Sequence, residues 1–180
     1  KCINNGIEFV NISPQINDAP KFLKAKQVPI RPNTDTALML SLAYVLIKND
    51  SYNNDFILDY TVGFDSFADY VLGKKDNQEC SPEWASKITN IPVNAIYELA
   101  DQIVRKKTMI SISWSLQRAS RGEQPLWMGI TLAAMLGQIG TANGGFGFGY
   151  SSVNSTGDSF HKMPWQSLPQ GKNKIKDFIP

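Results

Sequence analysis

The sequence predicts an α/β chain, layered α/β/α around a partial parallel sheet. Short β-rich runs alternate with segments of helical periodicity, in the order strand, helix, strand, helix. That order favours parallel strands covered by helices on their faces. The strands are brief and largely apolar, as buried strands are, and the helices carry explicit start signals.

Residues Ile7 to Ile12 (IEFVNI) form the first strand, ended by Pro14. Gln27 to Arg31 (QVPIR) is a second extended piece, and Pro32 keeps Arg31 out of the helical region. Thr34 or Asp35 then caps a helix whose Leu38, Leu42, Val45 and Leu46 form one buried face. Asn49 and Asp50 stop it, and two shorter helices follow over 52–59 and 65–72, split by Gly63. Ser81-Pro82-Glu83 starts another helix, with Ser as cap and Pro at the first helical position. Pro92 opens the next, where Ala95, Ile96, Leu99 and Ile103 make an apolar stripe and Arg105-Lys106-Lys107 suits the negative end of the dipole. Thr108 to Trp114 alternates like a strand, and Pro125 starts a helix ending at Gly137. Beyond Gly140 the chain is rich in Gly, Ser, Asn and Pro and reads as loop. Residues 1–150 are thus expected to form part of one α/β domain, with 151–180 a loop-rich continuation.

Composition narrows the function classes. The 180 residues carry a formal charge of +2, 42% hydrophobic and 19% charged residues, which fits a globular chain and not a disordered one. That balance offers little pull on nucleic acid or an acidic membrane. No apolar run approaches the roughly 20 residues of a membrane-spanning helix. Cys2, Cys80 and a single histidine, His161, are too few for a Cys-rich or His-rich metal site. His161 is expected in a surface loop. The chain opens at Lys1 and stops at Pro180 without a targeting pattern, and it reads as a piece of something longer.

Four segments bear chemistry. Arg31-Pro-Asn-Thr-Asp35 is a turn feeding a helix: Asp35 is suited to accept from guanine N1–H and its exocyclic amine, or the turn is a plain N-cap. Ser113-Trp-Ser-Leu-Gln-Arg118 follows a strand's carboxyl end, where open α/β sheets bind ligands. There Trp114 can lie flat on a ring while Ser115 and Arg118 bond phosphate; otherwise this is a packing Trp beside a surface Arg. Gly137 to Gly149 holds many glycines beside two Phe, either a loop approaching a flat ligand or a flexible turn. It follows a helix, so it is not a dinucleotide fingerprint. Arg118 to Pro125 is polar, and its Arg121, Glu123 and Gln124 orient a cofactor or close a salt bridge.

Together these segments carry a resemblance. SWSLQRASRGEQPLWMGITLAAMLGQIGTANGGFGFGY (Ser113 to Tyr150) closely resembles the dimethyl sulfoxide reductase family of molybdopterin oxidoreductases. The match is best within the branch reducing trimethylamine N-oxide, dimethyl sulfoxide and biotin sulfoxide. RPNTDTALMLSLAYVL (Arg31 to Leu46) and SPEWASKITNIPVNAIYELA (Ser81 to Ala100) resemble the same family in the same order.

The resemblance implies part of a Rossmann-like domain in a larger multidomain enzyme. It implies a bis(molybdopterin guanine dinucleotide) cofactor with molybdenum, and a chain gripping one guanosine-diphosphate arm. Trp114, Ser115 and Arg118 become cofactor contacts, Thr34 and Asp35 match a Gly-Thr-Asp-like nucleotide turn, and Gly144 and Gly145 lie near the pterin. Asn33 stands where that turn usually has glycine, and Asn90 and Thr141-Ala-Asn-Gly depart in similar ways. Ser13 replaces an acid that binds ribose in the family's Ile-Asp-Pro strand end. No segment matches the serine that ligates molybdenum, so neither a metal ligand nor a catalytic acid or base is expected here. The implied substrate is a small S-oxide or N-oxide. The implied partners are the rest of the polypeptide and an electron donor such as a c-type cytochrome, with the periplasm as location. From a different class, a non-catalytic nucleotide-binding α/β module also fits the isolated segments.

Overall fold

The computed structural model describes residues 2–16 and 18–149. They form four short strands and six helices, all within the compact unit Lys1–Gly149. Segment 151–180, with His161, lies outside the described residues.

Strands β1 (Val10–Ser13) and β2 (Lys26–Pro29) pair in parallel, with Ile12 opposite Val28. β1 starts later than the apolar run predicts, because only from Val10 on does the chain find β2 as a hydrogen-bonding neighbour. Helix α1 (Asp35–Lys48) follows. It differs from the expected one-sided helix: Ala37 to Ala43 are all buried, because α1 packs at once against the helices over Phe64–Val71, Pro82–Thr89, Val93–Arg105 and Glu123–Met135.

Helices α2 (Asn54–Tyr60) and α3 (Phe64–Val71) flank Gly63 as predicted, and Asn53 caps α2 by accepting from the Phe56 amide at 2.8 Å. In α4 (Pro82–Thr89), Ser81 accepts from the Trp84 amide at 3.3 Å. The apolar stripe of α5 (Val93–Arg105) puts Ile96, Leu99 and Ile103 into the core. Leu46, Val71, Ile91, Ile96 and Met135 are fully buried there. Burying a side chain of this size stabilises by about 1.5–3 kcal/mol.

Strand β3 (Met109–Ile112) leads through a 3-10 turn at Trp114–Arg118 into α6 (Glu123–Met135). The helix begins two residues before Pro125, whose missing N–H lies in the first turn, where the donors lack intrahelical partners anyway. One prediction is corrected here. The glycine-rich run does not stay loop throughout: Gly145–Phe148 is strand β4, parallel to β3 with Ile110 opposite Phe146. Glycine tolerates this because Phe146 fills the space beneath α6. A Cβ on Gly129 would stand 2.9 Å from the Phe146 ring and 2.4 Å from Ile112 Cδ1, so helix and sheet meet almost at backbone distance.

Candidate functional site

The first candidate segment lies where β2 leaves the sheet and α1 begins. Asn33 adopts φ 63°, the left-handed conformation that glycine takes freely and Asn better than most residues. Asn90 (φ 64°) and Asn143 (φ 67°) do the same. The departures from glycine therefore keep the backbone path. Thr34 occupies the N-cap position, but its hydroxyl donates to the Arg31 carbonyl at 2.6 Å and caps nothing. The side chain is turned back to close the Arg31–Pro32 turn, so the predicted Thr34 side-chain cap is absent. Asp35 is the first helical residue and half-buried. Burial pushes its carboxyl above the usual value, and a hydrogen bond from its own backbone opposes this only in part.

The second segment stands at the carboxyl ends of β3 and β4. Ser113 accepts from the Ser115 amide at 3.3 Å, and the two hydroxyls lie 2.9 Å apart, which starts the 3-10 turn. Trp114 stacks on Phe148 and covers Gly149, where a Cβ would fall 1.6 Å from Trp114 Nε1. Ser115 and Arg118 are exposed, and Arg118 makes no ion pair among the described residues. The turn then folds tightly back: a Cβ on Gly122 would meet the Gln117 carbonyl at 2.2 Å. Arg121 accepts φ 56° to make that return.

The return creates a cleft of about 690 Å3, within the roughly 300–1,000 Å3 of small-molecule sites. Asn33 and Asp35 line one side, Arg121, Glu123 and Gln124 another, and Phe67, Tyr70 and Trp127 add aromatic surface. Glu123 stays ionised, since its own backbone N–H and then Gln124 lower its pKa. Trp127 is 62% exposed, so its ring is open to a flat ligand.

The structure thus joins the first and fourth sequence segments in one cleft. Trp114, Ser115 and Arg118 do not line it and gather at the neighbouring strand ends. Ser13 sits at the carboxyl end of β1, bonded to Asp18. Gly144 and Gly145 pack against Gln138, where Cβ atoms would approach to 2.9 and 3.1 Å. Sequence reasoning missed Phe67, Tyr70 and Trp127. Their separation from Asp35 along the chain hides them: Phe67 is half-buried on α3 and Tyr70, three residues on, is exposed. Among the described residues no three His, Cys, Asp or Glu side chains gather as a metal site, and no helix is long and apolar enough to cross a membrane.

In the cleft Asp35 offers acceptors, beside the rings of Phe67, Tyr70 and Trp127. The chain is 40% identical over its whole length to a biotin sulfoxide reductase of Cereibacter sphaeroides, covering 24% of that protein. It is 44% identical over 81% of its length to a dimethyl sulfoxide/trimethylamine N-oxide reductase of Rhodobacter capsulatus, covering 18% of it. It therefore spans about a fifth to a quarter of these relatives. The fold also superposes on acetylene hydratase from Pelobacter acetylenicus, with TM-score 0.59 and 17% identity over 78% of this chain and 19% of that one. Residues 1–176 match the molybdopterin oxidoreductase family model, so the α/β chain that builds this cleft belongs to the molybdopterin oxidoreductases.

Proposed function

We propose that this chain is the part of a molybdenum-dependent S-oxide or N-oxide reductase that grips a guanosine-diphosphate arm of bis(molybdopterin guanine dinucleotide). The observation that carries this is Asp35. A half-buried carboxylate whose ionised form is disfavoured by burial gains from two N–H donors. Guanine supplies them through N1–H and the 2-amino group. Phe67, Tyr70 and Trp127 provide stacking surface beside it. Arg118 and Ser115, exposed at the neighbouring strand ends, are available for phosphate, and Trp114 holds that turn in place.

When bound, the cofactor supplies two-electron oxygen transfer from the oxide. The residues of this chain bind and orient it. They act as positioning groups, and none is asked to move a proton. Electron supply from a c-type cytochrome and a periplasmic location belong to the same proposal.

The test uses the full-length protein freed of cofactor. GMP should bind about tenfold more tightly than IMP, which lacks the 2-amino group. Asp35→Asn should abolish that preference. Equal binding of GMP, IMP and AMP by the unsubstituted protein would overturn the assignment.

A further inference from the structure

The corner between α2 and α3 carries an arrangement that the cleft does not use. Residues 49–73 hold five aspartates and neither lysine nor arginine, in a chain of net charge +2. Asp69 pairs with Lys74 at 2.7 Å, but Asp55, Asp59 and Asp65 make no ion pair among the described residues. Asp55 and Asp59 stand four residues apart on α2, opposite the buried Ile57, and so form an outward acidic ridge. Leu58 flanks this ridge on one side and Tyr60 on the other, 71% and 73% exposed. Tyr60 packs on Phe56 one turn earlier, ring centroids 4.9 Å apart. Val62, at the tip of the corner, is fully exposed. It is held there: Thr61 donates its amide and its hydroxyl back to the Ile57 carbonyl at 3.2 and 2.7 Å, and Gly63 turns left-handed at φ 81° to start α3. Three apolar side chains are thus presented on a fixed corner, with acids between them.

We propose that this corner is an intramolecular docking knob, seated in a groove of the same polypeptide outside these 180 residues, apolar at its floor and lined by lysine or arginine. Exposed apolar side chains gathered beside polar ones mark an interaction surface. Charge selects the sign of the occupant. An acidic ridge without local counter-charges is complemented by a basic surface, and covering it with anything else would leave carboxylates unpaired. Size and length select the source. This chain covers 24% of one relative and 18% of another, so in such proteins most of the polypeptide lies elsewhere and can seat the corner. A separate protein would have to offset roughly 4–15 kcal/mol of lost translational and rotational freedom. Stable bimolecular interfaces engage about 20–30 residues a side. Leu58, Tyr60 and Val62 on one corner are too few for that, whereas a groove on the same polypeptide is already tethered.

The experiment uses the purified full-length protein. Val62→Cys is labelled with a maleimide in the folded and in the denatured protein. Peptide mass spectrometry reads the rate at that site alone, apart from Cys2 and Cys80. The folded rate should be at least about tenfold lower than the denatured one, at every protein concentration. Leu58→Cys gives the same reading at a second position if the first variant folds poorly. Adding Asp55→Lys and Asp59→Lys should restore most of the lost reactivity, because like charges then face each other across the groove. Comparable rates in folded and denatured protein would overturn the proposal. Protection that appears only on raising the protein concentration would overturn it in favour of a second copy. Protection that the two lysines leave unchanged would overturn the basic groove.

Discussion

Trp114 stacks on Phe148, ring centroids 5.4 Å apart and planes at 30°, and so ties the carboxyl end of β3 to that of β4. The pair fixes the turn that carries Ser115 and Arg118. The indole lies so close over Gly149 that no side chain fits between them. Gly149 also holds φ 63°, so any substitution there is strained twice.

Gly149→Ala should therefore displace the indole and destabilise the protein by about 1–3 kcal/mol. Part of that loss should vanish when Trp114→Ala is already present, giving a coupling of about 0.5–3 kcal/mol in a double-mutant cycle followed by denaturant melts. Strict additivity would contradict the stacking over Gly149.

Three of the left-handed asparagines give a second expectation. Asn33, Asn90 and Asn143 occupy φ values between 63° and 67°. Replacement by Ala should cost about 1–2 kcal/mol at each position. Replacement by Gly should cost less than about 1 kcal/mol. Thermal melts of the six variants decide it, and equal losses for Ala and Gly would contradict the backbone account.

The family resemblance marks Asn33, Asn90 and the Thr141-Ala-Asn-Gly stretch as departures, and the left-handed conformation of their asparagines is the physical reason the exchange is tolerated. The start at Ser81-Pro82 was readable because its cap is local chemistry, whereas the cap expected at Thr34 is absent because its hydroxyl bonds the Arg31 carbonyl instead. β4 was not, because Gly145–Phe148 becomes a strand only by pairing with β3, over thirty residues earlier. The all-round burial of α1 was hidden for the same reason: it depends on which helices surround it. In the site, Asn33 and Asp35 were found from the turn they share. Phe67, Tyr70 and Trp127 reach the cleft only through tertiary packing.

Asp35 carries a pH signature. Burial raises its folded-state pKa above the usual 3.8, so the folded chain holds that proton more tightly than the unfolded chain. The contribution to stability is then complete below 3.8 and is lost as pH rises through the folded value. Asp35→Asn removes this term. The melting temperature of the unsubstituted protein minus that of the variant should therefore grow as pH is lowered from 7 towards 4. A constant or shrinking difference would contradict the burial of Asp35. Bound guanine nucleotide should suppress the effect, because it supplies donors to the ionised form.

The most direct measurement is the molybdenum and guanine nucleotide content of the full-length protein, expressed with its cofactor pathway intact, beside the same preparation of Asp35→Asn. The expected result is about one molybdenum and about two guanine nucleotides per protein, with guanine retention on gel filtration clearly weakened in the variant. A folded, unsubstituted protein from competent cells that holds neither metal nor guanine would contradict the account.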